Sequence, residues 1–148
     1  MDCLIVVDAW ESCSESDLDI YPYLGIETKI FGQYLNHMLT MIRPHCEVFH
    51  HADGRPIMKE IDVKQDIVIN NMAQLPSFDH YYFCGFHLGR CIYKKMKQLN
   101  KNNIGVVMNM SMIFPEDVYK DKISELESNN GYMYSHAGGF EKCAIHYF

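Results

Sequence analysis

A chain of 148 residues, 48% of them apolar, can build one well-buried core and is too short for two comfortable ones, so a single domain over 1–148 is expected. The formal charge of -6, with basic residues scattered rather than massed, argues against a nucleic-acid surface and an anionic membrane surface; small molecules or proteins are the partners to expect. Cys3, Cys13, Cys46, Cys84, Cys91 and Cys143 form no C-x-x-C motif, which fits reduced thiols and a cytoplasmic setting. Asp8 ends the first apolar run too early for a secretory leader, and no segment is long enough to span a membrane.

"CLIVVD", Cys3 to Asp8, is a continuous β-branched run ending in a carboxylate, as in a strand buried on both faces of a parallel sheet. "AWESCSESDLDIYPYLG" has no clear period and reads as a loop. From Ile26 or Glu27 to Ile42, Ile30, Phe31, Tyr34, Leu35, Met38, Leu39 and Ile42 recur at helical spacing and stop before Pro44. "CEVFHH" reads as a second strand, with "ADGRP" as a turn behind it. "DIVIN" from Asp66 is a third, and "HYYFCGF" a fourth, set off by "QLPSFD". Leu88, Ile92, Met96 and Leu99 then mark a second helix, with lysines on its other side. "IGVVMNM" is a fifth strand, the stretch from Pro115 through Leu126 a third helix, and "KCAIHYF" a sixth strand. The alternation predicts a three-layer, Rossmann-like α/β fold, with a mostly parallel six-stranded sheet and helices on both faces.

In such a sheet ligands bind beyond the carboxyl ends of the strands, where strand order reverses. The polar residues at such ends are Asp8, His50 and His51, Asn70 and Asn71, and the turn from Gly85 to Cys91. Cys91 falls in the first turn of its helix, where unpaired N–H groups and the positive dipole end favour a thiolate, so a lowered thiol pKa is expected. With Asp8 to take the proton, the two make a nucleophile and base. Each has a plainer reading: Cys91 as a small packing residue, Asp8 as an acceptor for backbone N–H groups in its loop.

The motif order resembles that of the isochorismatase-like cysteine hydrolases, which include nicotinamidases, pyrazinamidases and N-carbamoyl amidases. "CLIVVDAWE" is similar to the family's "LLVIDMQ", "DIVINN" to its "DLVVRK", and "CGFHLGRCI" to its "CGVATDVCV". The resemblance implies Cys91 as nucleophile and Asp8 as base, with the amides of His87 through Cys91 as the oxyanion hole and a cis peptide at Gly85–Phe86 or Phe86–His87. It sets Asn71 where the family's triad has a lysine, so the usual Asp-Lys-Cys set is incomplete. Gly89 and Arg90 replace the family's "TD"; they, His87 and Trp10 are the candidate ligand contacts. The chain is also shorter than typical members between the second and third strands.

The family's metal is held by an aspartate and histidines after the second strand. His50, His51 and Asp53 lie there without that spacing, and adjacent strand residues face opposite ways, so neither a metal nor another cofactor is expected. Two functions follow: a cysteine hydrolase acting on a small amide or related substrate, or a non-catalytic member that binds a small ligand or a protein. A nucleotide-binding Rossmann domain ranks behind both, because no G-x-G-x-x-G or P-loop follows the first strand. Trp10, Tyr21, Tyr23 and the final "IHYF" are available for homo-oligomer contacts.

Overall fold

The structure, a computed structural model, describes residues 1–12, 28–86, 90–99 and 103–112. The expected third helix and sixth strand lie outside the described residues. Within them run β1 (Asp2–Val7), α1 (Thr28–Ile42), β2 (Glu47–His51), β3 (Ile67–Ile69), a 3-10 turn (Met72–Gln74), β4 (His80–Phe86), α2 (Cys91–Leu99) and β5 (Ile104–Met112). The strands form one sheet in the order β3-β2-β1-β4-β5, and every neighbouring pair is parallel. The chain builds outward from β1 to β2 and β3, then returns to the other side of β1 with β4. Strand order therefore reverses between β1 and β4, and the crevice beyond the carboxyl ends at such a reversal is where parallel α/β sheets place their ligand sites.

The continuous apolar character of β1 has a direct cause: alternate residues feed two separate cores. Leu4 and Val6 pack with Val48, Cys84 and Phe86 under Phe31, Leu35, Met38 and Leu39 of α1. Cys3, Ile5 and Val7 pack with Phe49, Phe83 and Ile104 under Ile92 and Met96 of α2. All five residues from Cys3 to Val7 are at most 2% exposed. Each large aliphatic side chain buried this completely contributes about 1.5–3 kcal/mol. The helices on opposite faces make the three layers of the α/β fold.

Two elements differ from their expected form. The third strand shortens from 66–70 to Ile67–Ile69 and lies at the sheet edge, where Ile67 and Val68 are each 46% exposed. Asp66 is drawn instead into a buried network on the α1 side of the sheet. Arg43 Nε and Nη2 donate to its two oxygens at 2.7 and 2.8 Å, and His50 Nε2 lies 2.7 Å away. β5 runs past Met110 to Met112, because its register with β4 jumps: Phe83 faces Val106 but Gly85 faces Ser111. The buried Ser111 hydroxyl donates to the Val107 carbonyl at 2.8 Å across the irregularity.

Gly85 sets how closely β1 and β4 approach at the crevice. Its φ is +107°, and a Cβ added there would sit 2.5 Å from the Val7 carbonyl oxygen and 2.9 Å from the Val7 nitrogen. No flexible side chain can yield, since the obstacle is backbone. Gly85→Ala is expected to lower the urea-unfolding free energy by about 2–4 kcal/mol, from a strained φ plus a forced separation of the two central strands. A loss below about 0.5 kcal/mol, the level of an ordinary surface change, would contradict this packing.

Asp66 supplies a second test. Burial alone would raise its carboxyl, but the bonds from Arg43 and His50, with their charges, hold it below the ordinary 3.8. A depressed carboxyl contributes stability that is complete above its unfolded pKa and disappears as pH falls through the folded one. Urea titrations should find Asp66→Asn less stable by about 3–5 kcal/mol at pH 7, as when one partner of a buried pair is removed. That gap should shrink on acidification below 3.8. A gap independent of pH would show that Asp66 does not carry the network's charge.

Candidate active site

Register brings the ends of the three central strands together. Val7 stands opposite His51 of β2 and Gly85 of β4, so Asp8 is the first residue beyond β1 at the reversal point. Its backbone turns out of the strand in the left-handed region, at φ 51°. Aspartate tolerates that conformation better than most residues, as Asp53 does at φ 52° in the turn after β2. The turn is fixed on both sides: the Asp8 N–H donates to the His51 carbonyl at 3.0 Å, and the Trp10 N–H donates to the Asp8 carbonyl at 2.8 Å.

The Asp8 residue is 5% exposed, and His51 and Cys91 both address its carboxylate. His51 Nδ1 lies 3.2 Å from Oδ1, with the imidazole 1% exposed. The Cys91 thiol makes a hydrogen bond to the same carboxylate. Cys91 begins α2: the Arg90 carbonyl accepts from the Lys94 N–H at 2.9 Å, so the Cys91 amide, in the first turn, has no carbonyl partner within the helix. Among the described cysteines, Cys3, Cys46 and Cys84 are buried and Cys91 alone is partly exposed.

The charge state of the sulfur differs from the expected one. Burial, then the hydrogen bond to Asp8, then the Asp8 charge push the Cys91 thiol from 9.0 up to about 12, and Lys95 and Lys94 pull it back by less. A helix N-terminus contributes about 0.3–1 kcal/mol, less than one pKa unit, and cannot offset a rise of that size. The resting nucleophile candidate is a neutral thiol donating to a carboxylate. Burial raises Cys46 similarly, to about 12, but no carboxylate bonds to that thiol.

The remaining candidates separate. Asn71 is exposed and caps the 3-10 turn: its Oδ1 accepts from the Ala73 N–H at 2.9 Å, while Gln74 Oε1 accepts from the Asn71 N–H at 3.1 Å. Its bonds run within its own turn rather than to Asp8 or Cys91. Trp10 ties the loop after β1 to the loop after β2, donating Nε1–H to the Ala52 carbonyl at 2.7 Å under the Arg55 guanidinium, 4.1 Å from the ring centre. Arg90 is exposed at the head of α2. His87 and Gly89 lie outside the described residues.

His50 and His51 face opposite sides of β2, as strand alternation requires, and serve different carboxylates. Among the described residues no group of three or more His, Cys, Asp or Glu side chains is arranged to hold a metal. Among the same residues, no helix is long and apolar enough to cross a membrane. The contact between His51 and Asp8 is the feature that sequence reading missed. A signal for it exists in the parity of β2, where His51 shares a face with the core residue Phe49, but it needs the strand register to be seen.

No family model and no curated protein matches the sequence. Solved structures match in fold. N-carbamoylsarcosine amidase from Thermoplasma acidophilum aligns with a TM-score of 0.61 at 15% identity, over 90% of this chain and 94% of that one. An isochorismatase-like hydrolase from Alkaliphilus metalliredigens aligns at 0.60 and 9% identity, over 90% and 94%. A putative MAR1 ribonuclease from Leishmania donovani aligns at 0.62 and 14% identity, over 94% and 79%. The chain thus has the isochorismatase-like hydrolase fold, at a sequence divergence that leaves little beyond the fold itself in common.

A neutral thiol beside a carboxylate makes a specific labelling prediction. Peptide-resolved mass spectrometry should find Cys91 alkylation by iodoacetamide slow near neutral pH and still climbing well into the alkaline range, as for a thiol near 12. Asp8→Asn removes two of the causes that raise it and should speed labelling at pH 8. A rate already at plateau below pH 8, or one slowed by Asp8→Asn, would refute the assigned thiol–carboxylate pairing.

Proposed function

We propose that this chain is a cysteine hydrolase acting on a small amide or related acyl substrate, with Cys91 as nucleophile and Asp8 as base. The observation that carries the reading is the hydrogen bond from a partly exposed first-turn thiol to a buried carboxylate, located where strand order reverses. The fold shared with an N-carbamoylsarcosine amidase and an isochorismatase-like hydrolase favours a carbonyl substrate of the amide or carbamoyl class.

The thiol's high pKa fits a base that acts during attack rather than one that has already removed the proton. Asp8 takes the thiol proton as sulfur bonds to the carbonyl carbon and the C=O electron pair moves onto oxygen. The amide of Cys91, lacking an intrahelical partner, is placed to donate to that oxygen. The intermediate collapses as the C–N bond breaks, and the leaving nitrogen takes the proton back from Asp8. Water then adds to the thioester, giving its proton to Asp8; the C–S bond breaks and the thiol is reprotonated.

A panel of small primary amides, N-carbamoyl compounds and activated esters, assayed with the full chain, tests this. Release of ammonia or acid should vanish in Cys91→Ala and fall by about 10²–10⁴ in Asp8→Asn, the range for losing a positioned acid–base group. Hydrolysis that survives Cys91→Ala would overturn the assignment, as would a complete panel with no turnover and no Cys91 adduct.

A further inference from the structure

A buried carboxylate acting as base must be kept ionised and aimed, and in the resembling family a lysine does so. Here the matching position is Asn71, which is exposed and engaged in capping its own 3-10 turn. Several cations among the described residues are engaged elsewhere. Arg43 is bound to Asp66, Arg55 lies over Trp10, and Lys59 pairs with Glu11 at 3.0 Å. Lys94 and Lys95 act on Cys91 from α2, through space.

His51 reaches Asp8 twice. Its carbonyl accepts the Asp8 N–H at 3.0 Å, and its Nδ1 lies 3.2 Å from the Asp8 carboxylate oxygen. The first contact holds the left-handed turn and the second holds the side chain. Both come from the last residue of β2, whose place beside Val7 is fixed by the parallel ladder. An ionised carboxylate only accepts, so the proton in the side-chain contact sits on Nδ1; a carboxylate has lone pairs enough for the imidazole and the thiol together.

We propose that His51 is the positioning residue of this site, donating Nδ1–H to Asp8 and doing for the base what a lysine does in the resembling enzymes. The proposal rests on the reading of Asp8 as base for Cys91. His51 does not touch substrate. It holds the Asp8 carboxylate toward the thiol and supplies the polar partner that burial of the charge requires.

The test uses p-nitrophenyl acetate as the acylating probe, with Cys91 acylation followed by peptide mass spectrometry. His51→Leu, similar in bulk but without a donor, should acylate more slowly by about 10–100-fold, the range for losing an outer-shell hydrogen-bond partner. His51→Asn, whose amide N–H can stand near the Nδ1 position, should recover most of that rate, which a purely space-filling role would not predict. Equal rates for the unsubstituted and leucine proteins, or an asparagine protein no better than leucine, would overturn the proposal.

Imidazole ¹⁵N NMR stands independently of turnover and, for the Nδ1 proton of the unsubstituted chain, of the His51 variants' folding. The His51 Nδ1 should carry a proton, and its signal should move on Asp8→Asn. An unprotonated Nδ1, or a signal indifferent to Asp8, would also overturn the proposal. Failure of the unsubstituted protein to acylate, with the NMR signature present, would sink the hydrolase reading and leave the contact from His51 to Asp8 standing.

Discussion

Burying a carboxylate costs several kcal/mol unless polar partners converge on it, and the crevice between β1 and β4 is organised around meeting that cost for Asp8. Its side-chain partners named here come from β2 and α2: the imidazole of His51 stands at the end of β2 and the thiol of Cys91 opens α2, while the Asp8 backbone N–H donates to the His51 carbonyl and fixes the turn. A shift of β2 along its axis would take the imidazole from the carboxylate, and a shift of α2 would take the thiol. Parallel pairing of β1 with β2 is what prevents the first shift, because register fixes where each strand ends. Gly85 lets β4 lie close against Val7 at the end of β1.

The two histidines ending β2 show how one strand can serve two ends. His50 faces α1 and completes a buried network with Asp66 and Arg43, which ties the start of β3 to the end of α1. His51 faces the opposite core and the crevice. The first contact secures the sheet's thin edge, where β3 has only three residues. The second reaches Asp8, the carboxylate shared with Cys91. Both are buried ionisable pairs, but only the second has a thiol in it.

Most of the central architecture is legible in the residues alone. β1 reads as doubly buried because it lacks alternation, and α1 reads as a helix because its apolar spacing continues until Pro44. The end of β1 and the head of α2 can be joined from sequence because a reversal of strand order is where a parallel sheet places its site. What escapes sequence reading depends on neighbours. "DIVIN" reads as a strand from Asp66 to Asn70, yet Asp66 is captured by Arg43 and His50, and the two residues after it face solvent at an edge. The extension of β5 rests on a register jump opposite Gly85, which no local propensity encodes. The Cys91 thiol shifts opposite to the direction its helix position suggests, because helix position is visible in sequence while burial and the approach of Asp8 are not. His51 stands out in sequence as a polar residue at a strand end, but its pairing with Asp8 does not, since the two lie 43 positions apart.

The account turns on the hydrogen bond from the Cys91 thiol to Asp8, and the S–H stretching band reports that bond directly. An infrared difference spectrum of the unsubstituted protein minus Cys91→Ala isolates this thiol from the other cysteines. The account predicts a band lowered in frequency by a charged acceptor, moving up in Asp8→Asn. A band at the frequency of an unbonded thiol, unchanged by Asp8→Asn, would contradict it.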